Sequence, residues 1–448
     1  MNTIETIHLE LNNLQAMQKF EGWGTSLCWW ANIVGRWETP GVIEKLSRLL
    51  FDETDGLGLT VVRYNLGAGE SPPNISNFRK GADMPCFFDS SGNWHWERDA
   101  AQQKILDCAI ACGVNHVELF MNSPPQWMTS SGSTAGSESG LCNLAEGKVN
   151  ELAEYLAECV SFFSCKYGKK ITSIAPFNEP MSFWWTNDNN QEGCHFDVQQ
   201  QAELIAELGD ALRYRGVGDV RISAPEGWST FETIYCCNHY PQQVLRYIGQ
   251  INTHSYYSDM QSRKELANIA HRLGKPLWMS EVTCGGTQIH CHEDMTSALE
   301  LAQNITVHLN EMQAQGWVYW QAIENERIGH NHGLLHADFE TDGVYYSTKQ
   351  YSAFANFTRL IRPGYTILKG APEGITVGCS PDGKQLAIVA VNLKHNPIRI
   401  LLSCTGVPMR EPRKVFRTSC EENMVSIPCF EGQILVLPPQ SITSLIYE

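Results

Sequence analysis

The chain has 448 residues, of which 43% are hydrophobic and 18% charged, a composition typical of a folded globular protein and not of a disordered one. Its formal net charge of −16 argues against a surface that binds nucleic acid or an anionic membrane, so no nucleic-acid partner is expected. No uninterrupted apolar run is long enough to span a bilayer.

The N-terminal residues and the cysteines bear on location. Residues 1–8 contain neither a basic start nor an apolar stretch, so no secretory signal is expected. Sixteen cysteines are scattered singly and form no spaced framework. A large chain with many cysteines and no export signal is typical of the cytosol, where thiols stay reduced. We therefore expect a cytoplasmic protein.

From about residue 20 to residue 320, short apolar runs alternate with longer stretches of helical periodicity. The predicted strands are residues 22–27, 60–66, 116–121, 172–177, 221–224, 250–254, 276–280 and 316–320, and helices are predicted at 148–167, 198–215, 264–273 and 296–315. Eight strands alternating with helices is the count of a (β/α)8 TIM barrel, which usually takes ~250 residues or more. The competing α/β architecture, a doubly wound open sheet, is disfavoured because no Gly-x-Gly-x-x-Gly turn follows the first strand.

The sequence pattern changes after residue 364, where short strand-like runs are separated by Pro, Gly, Asp and Asn. These runs are residues 375–379, 385–392, 398–404, 413–418, 424–427, 433–437 and 441–447. Their spacing predicts a small antiparallel β-sandwich, and the alternation at 3–11 predicts one more strand returning to it. We place the barrel at 16–355 and the appended sandwich at 1–15 plus 356–448.

Two glutamates stand where the apolar runs of predicted strands four and seven stop. The first is Glu179, preceded by Asn178, and the second is Glu281. The carboxyl ends of barrel strands share one face, so these side chains should converge. Cleavage of a glycosidic bond requires such a pair: an acid for the leaving oxygen and a second carboxylate at the anomeric carbon. A salt-bridge or helix-capping role is the alternative for each Glu taken alone.

Polar and aromatic residues at other predicted strand ends should ring the same pocket. An Arg beside Glu281 would hold that carboxylate ionised, although a buried structural ion pair is the alternative. Glu226 also ends a strand, and we interpret it as a binding or structural residue. The Trp pairs at 29–30 and 184–185 are either core or sugar contacts. The candidate residues are Arg63, Asn122, His254, Tyr256, Trp320 and Trp30.

The segment from Cys284 to His292 carries thiol and imidazole groups that suit zinc. It includes His290 and Cys291 but has no paired Cys-x-x-Cys. We interpret it as an ordinary loop and expect neither a metal nor a cofactor. A Ser hydrolase elbow and a Walker loop are both missing from the sequence.

Five segments together resemble glycoside hydrolase family 30. They are residues 22–31, 63–69, 122–128, 177–180 and 279–281. The resemblance implies Glu179 as acid/base, Glu281 as nucleophile, and Asn178 as a hydrogen-bond partner of the sugar 2-hydroxyl. It also implies that Arg63, Asn122, His254, Tyr256 and Trp320 shape the sugar site.

The resemblance also suggests a substrate. The opening at residues 24–31 most resembles the β-1,6-galactanase branch, whereas Gln126 stands where the family often has an aromatic residue, so the sugar stays open. We expect a retaining β-glycoside hydrolase for β-1,6-linked galactosides, and a cytoplasmic location favours exo-action on short galacto-oligosaccharides. The alternatives are β-glucosidase or glucosylceramidase-like, β-xylosidase or β-fucosidase activity. A noncatalytic glycan-binding protein is the alternative of another class.

Overall fold

The N-terminal segment belongs to the same side domain as the C-terminal strands. The computed structural model describes residues 4–69, 78–285, 292–328, 332–405, 411–430 and 433–448. Strand β1 (Glu5–Glu10) pairs in parallel with a strand at 398–403, and β2 (Gln15–Lys19) pairs antiparallel to one at 366–369. The predicted return of this segment to the sandwich is confirmed, with two strands in place of one. The expected boundary between residues 15 and 16 falls inside β2.

Eight parallel strands form a closed barrel, in which each strand lies beside its neighbours in the chain. They are β3 (Gly22–Ser26), β4 (Val61–Leu66), β5 (His116–Met121), β6 (Ile171–Ala175), β7 (Arg221–Ser229), β8 (Ile248–Tyr257), β9 (Leu277–Val282) and β10 (Gly316–Gln321). All eight predicted strands are confirmed. Every residue of β4 is buried, because helices cover a parallel barrel outside and side chains fill it inside.

The helices are α1 (Trp30–Val34), α2 (Val42–Phe51), α3 (Ala100–Ala111), α4 (Val149–Tyr167), α5 (Val198–Tyr214), α6 (Thr230–His239), α7 (Gln242–Leu245), α8 (Met260–Leu273), α9 (Met295–Asn310) and α10 (Lys349–Thr358). Helix α8 begins four residues before its predicted start because Asp259 and Ser262 form a capping box. Helix α9 ends before residue 315 because Gln313 has a φ of +56°, which a helix does not accommodate. Among the described helices, none combines the length and apolar character needed to cross a membrane.

The predicted sandwich is confirmed. In the chain, a small sheet of β11 (Ile323–Asn325), β12 (Leu335–Ala337) and β13 (Tyr345–Ser347) comes after the barrel strands and before the sandwich strands. The sandwich adds β14 (Thr366–Lys369), β15 (Ile375–Cys379), β16 (Leu386–Asn392), β17 (Ile398–Ser403), β18 (Lys414–Ser419), β19 (Glu422–Ser426), β20 (Ile434–Leu437) and β21 (Ser441–Tyr447). Its two sheets run in the orders β19-β18-β21-β16-β15-β14-β2 and β1-β17-β20. Leu9, Val377 and Ile400 belong to one apolar core shared by both sheets.

Helix α10 joins the barrel to the sandwich through buried polar contacts. The Nζ of Lys349 donates to the carbonyl oxygens of Ser419 at 3.0 Å and Cys420 at 3.2 Å, and it pairs with a carboxylate oxygen of Glu293 at 2.8 Å. The side chain of Lys349 is 1% exposed. A buried ammonium is tolerated only when its donors are used, so this contact fixes the sandwich hairpin against α10.

We expect Lys349→Ala to lower the free energy of unfolding by about 2–4 kcal/mol, because the carbonyl acceptors lose their donor and the lysine stem leaves a cavity. Urea unfolding followed by tryptophan fluorescence measures this change. Lys264→Ala, on the exposed face of α8, is the matched control and should change stability by less than about 0.5 kcal/mol. Equal stability of the two variants would contradict the assigned role of Lys349.

Candidate active site

Glu179 lies just beyond β6, where the backbone leaves the strand conformation. Its φ of +48° is in the left-handed region that a residue with a side chain rarely adopts. Two hydrogen bonds hold this geometry: the Glu179 N–H donates to the carbonyl oxygen of Glu226 at 2.9 Å, and the indole N–H of Trp185 donates to the carbonyl oxygen of Glu179 at 2.9 Å. The local fold therefore sets the direction of the Glu179 carboxyl.

Glu281 is carried by β9, and the barrel brings it next to Glu179. One carboxylate oxygen of each residue and one ring nitrogen of His254 all lie within 4.8 Å of one another. Glu179 is 7% and Glu281 4% exposed, so the pair is accessible only from the cleft above it. The predicted convergence of the two carboxylates is present in the structure.

Arg63, on β4, lies beneath the pair and contacts three carboxylates. Its Nη1 donates to an oxygen of Glu281 at 2.8 Å, its Nε lies 3.3 Å from Glu118, and its Nη2 lies 3.5 Å from Glu226. Burial opposes the guanidinium charge, but the surrounding carboxylates keep the pKa of Arg63 above its ordinary value. The predicted contact between Arg63 and Glu281 is thus present, and it extends into a wider buried ion network.

His254 bridges two carboxylates from opposite sides of its ring. Its Nδ1 lies 3.1 Å from Glu179 and its Nε2 lies 3.0 Å from Glu226. Glu226 is also held by the Ser280 hydroxyl at 2.6 Å and by Asn252 Nδ2 at 2.5 Å. Both ring nitrogens of His254 face carboxylate oxygens, so an imidazolium, which donates from both nitrogens, fits this environment.

The surroundings shift the pKa values of Glu179, Glu226 and His254 in different directions. Burial raises the pKa of Glu179, and the hydrogen bond from His254 offsets only part of that effect. Burial acts against the charge of Glu226 too, but Arg63 and His254 lower the pKa of Glu226 to about 2. Burial also opposes the charge of His254, yet Glu281, Glu179 and Glu226 raise its pKa to about 10. A protonated Glu179 can therefore stand beside an ionised Glu226.

A cleft of about 920 Å³ opens above the carboxylates. Of the predicted residues, Asn178, Tyr256 and Trp320 line it. The buried side-chain oxygen of Asn178 meets no hydrogen-bond donor among the described residues, which leaves it available to a ligand hydroxyl. The Tyr256 hydroxyl donates to Glu281 at 3.0 Å. Trp320 meets Trp29 edge to face, with ring centroids 5.2 Å apart.

Four predicted substrate-binding residues do not line the cleft: Arg63, which is fully buried beneath the carboxylates, and Trp30, Asn122 and His254. Trp30 is the first residue of α1, and its indole turns into the barrel core and donates to the carbonyl oxygen of Ser26 at 3.0 Å. Its neighbour Trp29 lines the cleft instead. Asn122 is buried and donates to Asn65 at 2.6 Å, while His254 lies beneath the carboxylates with no exposed surface. Of the tryptophan pair, Trp29 and not the predicted Trp30 lines the cleft.

The wall next to Glu281 contains Gln321, at the end of strand eight, and Glu324, which sequence reasoning missed. Gln321 accepts the Trp29 backbone N–H at 3.0 Å and donates to Glu324 at 2.6 Å. Burial raises the pKa of Glu324 to about 7. Gln321 directly follows predicted strand eight and Glu324 stands three residues later. This position at the carboxyl end of a barrel strand was the sequence signal that could have placed Glu324 at the cleft. The wall thus adds a third carboxyl group to the cleft.

Comparison with known proteins agrees with this geometry. Residues 5–330 match the sequence model of the family described as "O-Glycosyl hydrolase family 30". The chain belongs to O-glycosyl hydrolase family 30. It is therefore a glycoside hydrolase, and its substrate is a carbohydrate.

Relatives of this family 30 chain include two enzymes that act on β-1,6-linked galactose polymers or oligomers, as their names state. An endo-β-1,6-galactanase from Hypocrea rufa is 31% identical, with 83% of this chain and 78% of that protein covered. An exo-β-1,6-galactobiohydrolase from Bifidobacterium longum is 25% identical over 80% of this chain, which spans only 31% of that protein. Among solved structures, a conserved exported protein from Bacteroides fragilis superposes with a TM-score of 0.84 at 21% identity, covering 98% of this chain and 99% of that chain.

The interpretation of residues 284–292 as an ordinary loop, and not a zinc site, stays a prediction. His290 and Cys291 lie outside the described residues. Cys284 is buried and accepts from Asn304 at 3.3 Å, while His292 stacks on Tyr346 with ring centroids 4.8 Å apart. Burial raises the pKa of Cys284, which disfavours the thiolate that zinc requires.

His254 in this family 30 enzyme should carry a proton at neutral pH. With a pKa of about 10, the ring is an imidazolium at pH 7 and loses its proton as the pH rises through 10. Glu226→Gln removes an anionic partner, so we expect the titration midpoint to fall by about 1–3 pH units. Histidine ring nitrogen shifts, recorded by NMR between pH 6 and 11, measure this.

His308 provides the internal control for that titration. It is buried, accepts the Trp317 indole N–H at 3.1 Å, and burial lowers its pKa to about 3, so it stays neutral in both proteins over this range. A His254 midpoint that does not move in Glu226→Gln would contradict the bridging role.

Proposed function

We propose that this chain is a retaining β-glycosidase that hydrolyses β-1,6-linked galactosides, including short galacto-oligosaccharides, by double displacement. The carboxylate spacing carries the mechanism. One oxygen of Glu179 and one oxygen of Glu281 lie within 4.8 Å of each other, which supports the ~5–5.5 Å carboxyl separation of retaining enzymes over the ~6.5–9.5 Å of inverting ones. The likeness to the endo-β-1,6-galactanase supports the sugar and the linkage.

In the first step, Glu281 attacks the anomeric carbon while Glu179 gives its proton to the leaving oxygen. A carbon–oxygen bond forms to Glu281 as the glycosidic carbon–oxygen bond breaks. Hydrogen bonds from Arg63 and Tyr256 to the two oxygens of Glu281 keep this carboxylate oriented. Burial keeps the proton on Glu179 until the leaving group needs it.

In the second step, the ionised Glu179 removes a proton from water, and the water oxygen attacks the anomeric carbon. Glu281 leaves, and the sugar departs with its original β configuration. His254 lies 3.1 Å from Glu179 and faces this carboxylate while it is charged. The same histidine thus stabilises the form of Glu179 that exists only between the two steps.

We also propose the cytoplasmic location that the cysteine content suggests. The fifteen cysteines in the described segments are all free thiols, which supports a reducing compartment. Such a location would restrict substrates to imported oligosaccharides or small glycosides.

We expect Glu281→Gln to abolish turnover because no nucleophile remains. Glu179→Ala should lower kcat/KM for leaving groups of high pKa by about 10²–10⁴-fold and kcat/KM for 2,4-dinitrophenyl glycosides far less, because kcat/KM reports the first step and that leaving group needs no proton. Steady-state kinetics on both substrate types checks this. Glu203→Gln, an exposed carboxylate on α5, is the control and should retain normal rates. Normal turnover by Glu281→Gln would remove the nucleophile assignment.

The sugar and the stereochemistry can be tested together. We expect hydrolysis of β-1,6-galacto-oligosaccharides and of an aryl β-galactoside, with the β anomer as the first product seen by NMR. Faster cleavage of the aryl β-glucoside, β-xyloside or β-fucoside would replace the galactoside assignment. An initial α anomer would exclude the retaining mechanism, and binding without any cleavage would favour the noncatalytic alternative.

A further inference from the structure

Four aromatic side chains form a continuous surface that leads out of the cleft, and we call it the aromatic ledge. It consists of Trp184, Trp228, Tyr257 and Phe231. Ring centroids lie 5.5 Å apart for Trp184 and Trp228, 6.4 Å for Trp228 and Tyr257, and 5.4 Å for Tyr257 and Phe231. Single exposed aromatics are common on protein surfaces, but a connected row that begins inside a cleft is not.

The ledge is partly inside and partly outside the cleft. Trp184 and Trp228 line the cleft itself. Beyond them, Tyr257 is 63% and Phe231 is 42% exposed, although exposure of such large apolar rings is unfavourable without a partner. The ledge therefore offers apolar area that a ligand emerging from the cleft would cover.

The ledge is also held in place. Asn189 Nδ2 donates to the carbonyl oxygen of Trp184 at 2.7 Å, which fixes the loop after β6. The Trp228 N–H donates to Glu232 at 2.8 Å, which fixes the end of β7 against α6. A preformed surface binds a ligand without the cost of ordering it first.

The position of the ledge indicates which part of a substrate it meets. Its residues come from the segments that follow β6 and from β7, α6 and β8, the same side of the barrel that supplies Glu179. Trp29, Gln321 and Glu324 lie on the other side, next to Glu281 on β9. The acid must face the leaving oxygen, so the leaving group extends toward the ledge.

We propose that the aromatic ledge binds the leaving-group portion of the glycan, at least two sugar residues on the far side of the scissile bond. Uncharged amide side chains from the loop after β6, those of Asn190 and Gln191, line the same cleft. Amides can hydrogen-bond sugar hydroxyls while the rings cover sugar C–H faces, whereas a lipid tail would leave the amides unpaired. The inference rests on the proposed glycosidase function and extends it to substrates with a long leaving group.

The test compares substrates of different length. We expect kcat/KM of the wild-type enzyme to rise with substrate length from β-1,6-galactobiose to the β-1,6-linked hexaose. Substrates labelled at the reducing end show which glycosidic bond is cleaved. In Phe231→Ala/Tyr257→Ala, the ratio of kcat/KM for the hexaose to that for an aryl β-galactoside should fall roughly fivefold to fiftyfold, through the loss of two ring contacts. Both positions are exposed, so the melting temperature should stay close to that of the wild type.

Tyr214→Ala is the matched control, since this tyrosine is 88% exposed on α5 and outside the cleft. Its ratio should equal that of the wild type. An unchanged ratio in the double variant, with galacto-oligosaccharides still cleaved, would overturn the ledge alone. Octyl β-galactoside, which has a lipid-like leaving group, is tested in parallel. If the double variant loses kcat/KM only on this substrate, the ledge proposal is overturned in favour of a lipid aglycone. If the wild-type enzyme cleaves no galacto-oligosaccharide, the proposed function fails and the ledge proposal fails with it.

Discussion

The buried guanidinium of Arg63 is the interaction on which the rest of the site depends. A charge inside a barrel is stable only where opposite charges and hydrogen bonds replace water. Arg63 on β4 meets Glu118 on β5, Glu226 on β7 and Glu281 on β9, so one side chain links four of the eight strands. The same contacts that make the arginine tolerable also fix the candidate nucleophile.

The charge balance around Arg63 explains why two neighbouring carboxyls differ in protonation. Two cations, Arg63 and the His254 imidazolium, are matched by Glu226 and Glu281. Glu179 and Glu118 bring the carboxyl groups in the same dry volume to four against two cations, and burial raises the pKa of both. The raised pKa of Glu179, which supports its proposed acid role, thus follows from the whole cluster and not from one contact.

Sequence periodicity located the strands and both carboxylates, because buried strands are apolar runs and a barrel gathers their carboxyl ends. It selected Trp30 where Trp29 lines the cleft, since at the start of α1 two neighbouring tryptophans point in different directions. It also could not assign Glu226, whose role depends on a histidine and an arginine that reach it from other strands. Strand ends are readable from sequence, but contacts between them are not.

The backbone adds a second coupling, between Glu179 and Glu226. Glu226, like Glu179, has a positive φ, at +63°, and neither is a glycine. Such conformations cost of order 1–3 kcal/mol each and persist only where neighbours enforce them. Here the Glu179 N–H bonds to the Glu226 carbonyl oxygen, so each unusual residue helps to hold the other. Glu226 therefore acts on Glu179 in two ways, through His254 and through the main chain. Glu226→Gln keeps the main-chain hydrogen bond and alters only the contact through His254.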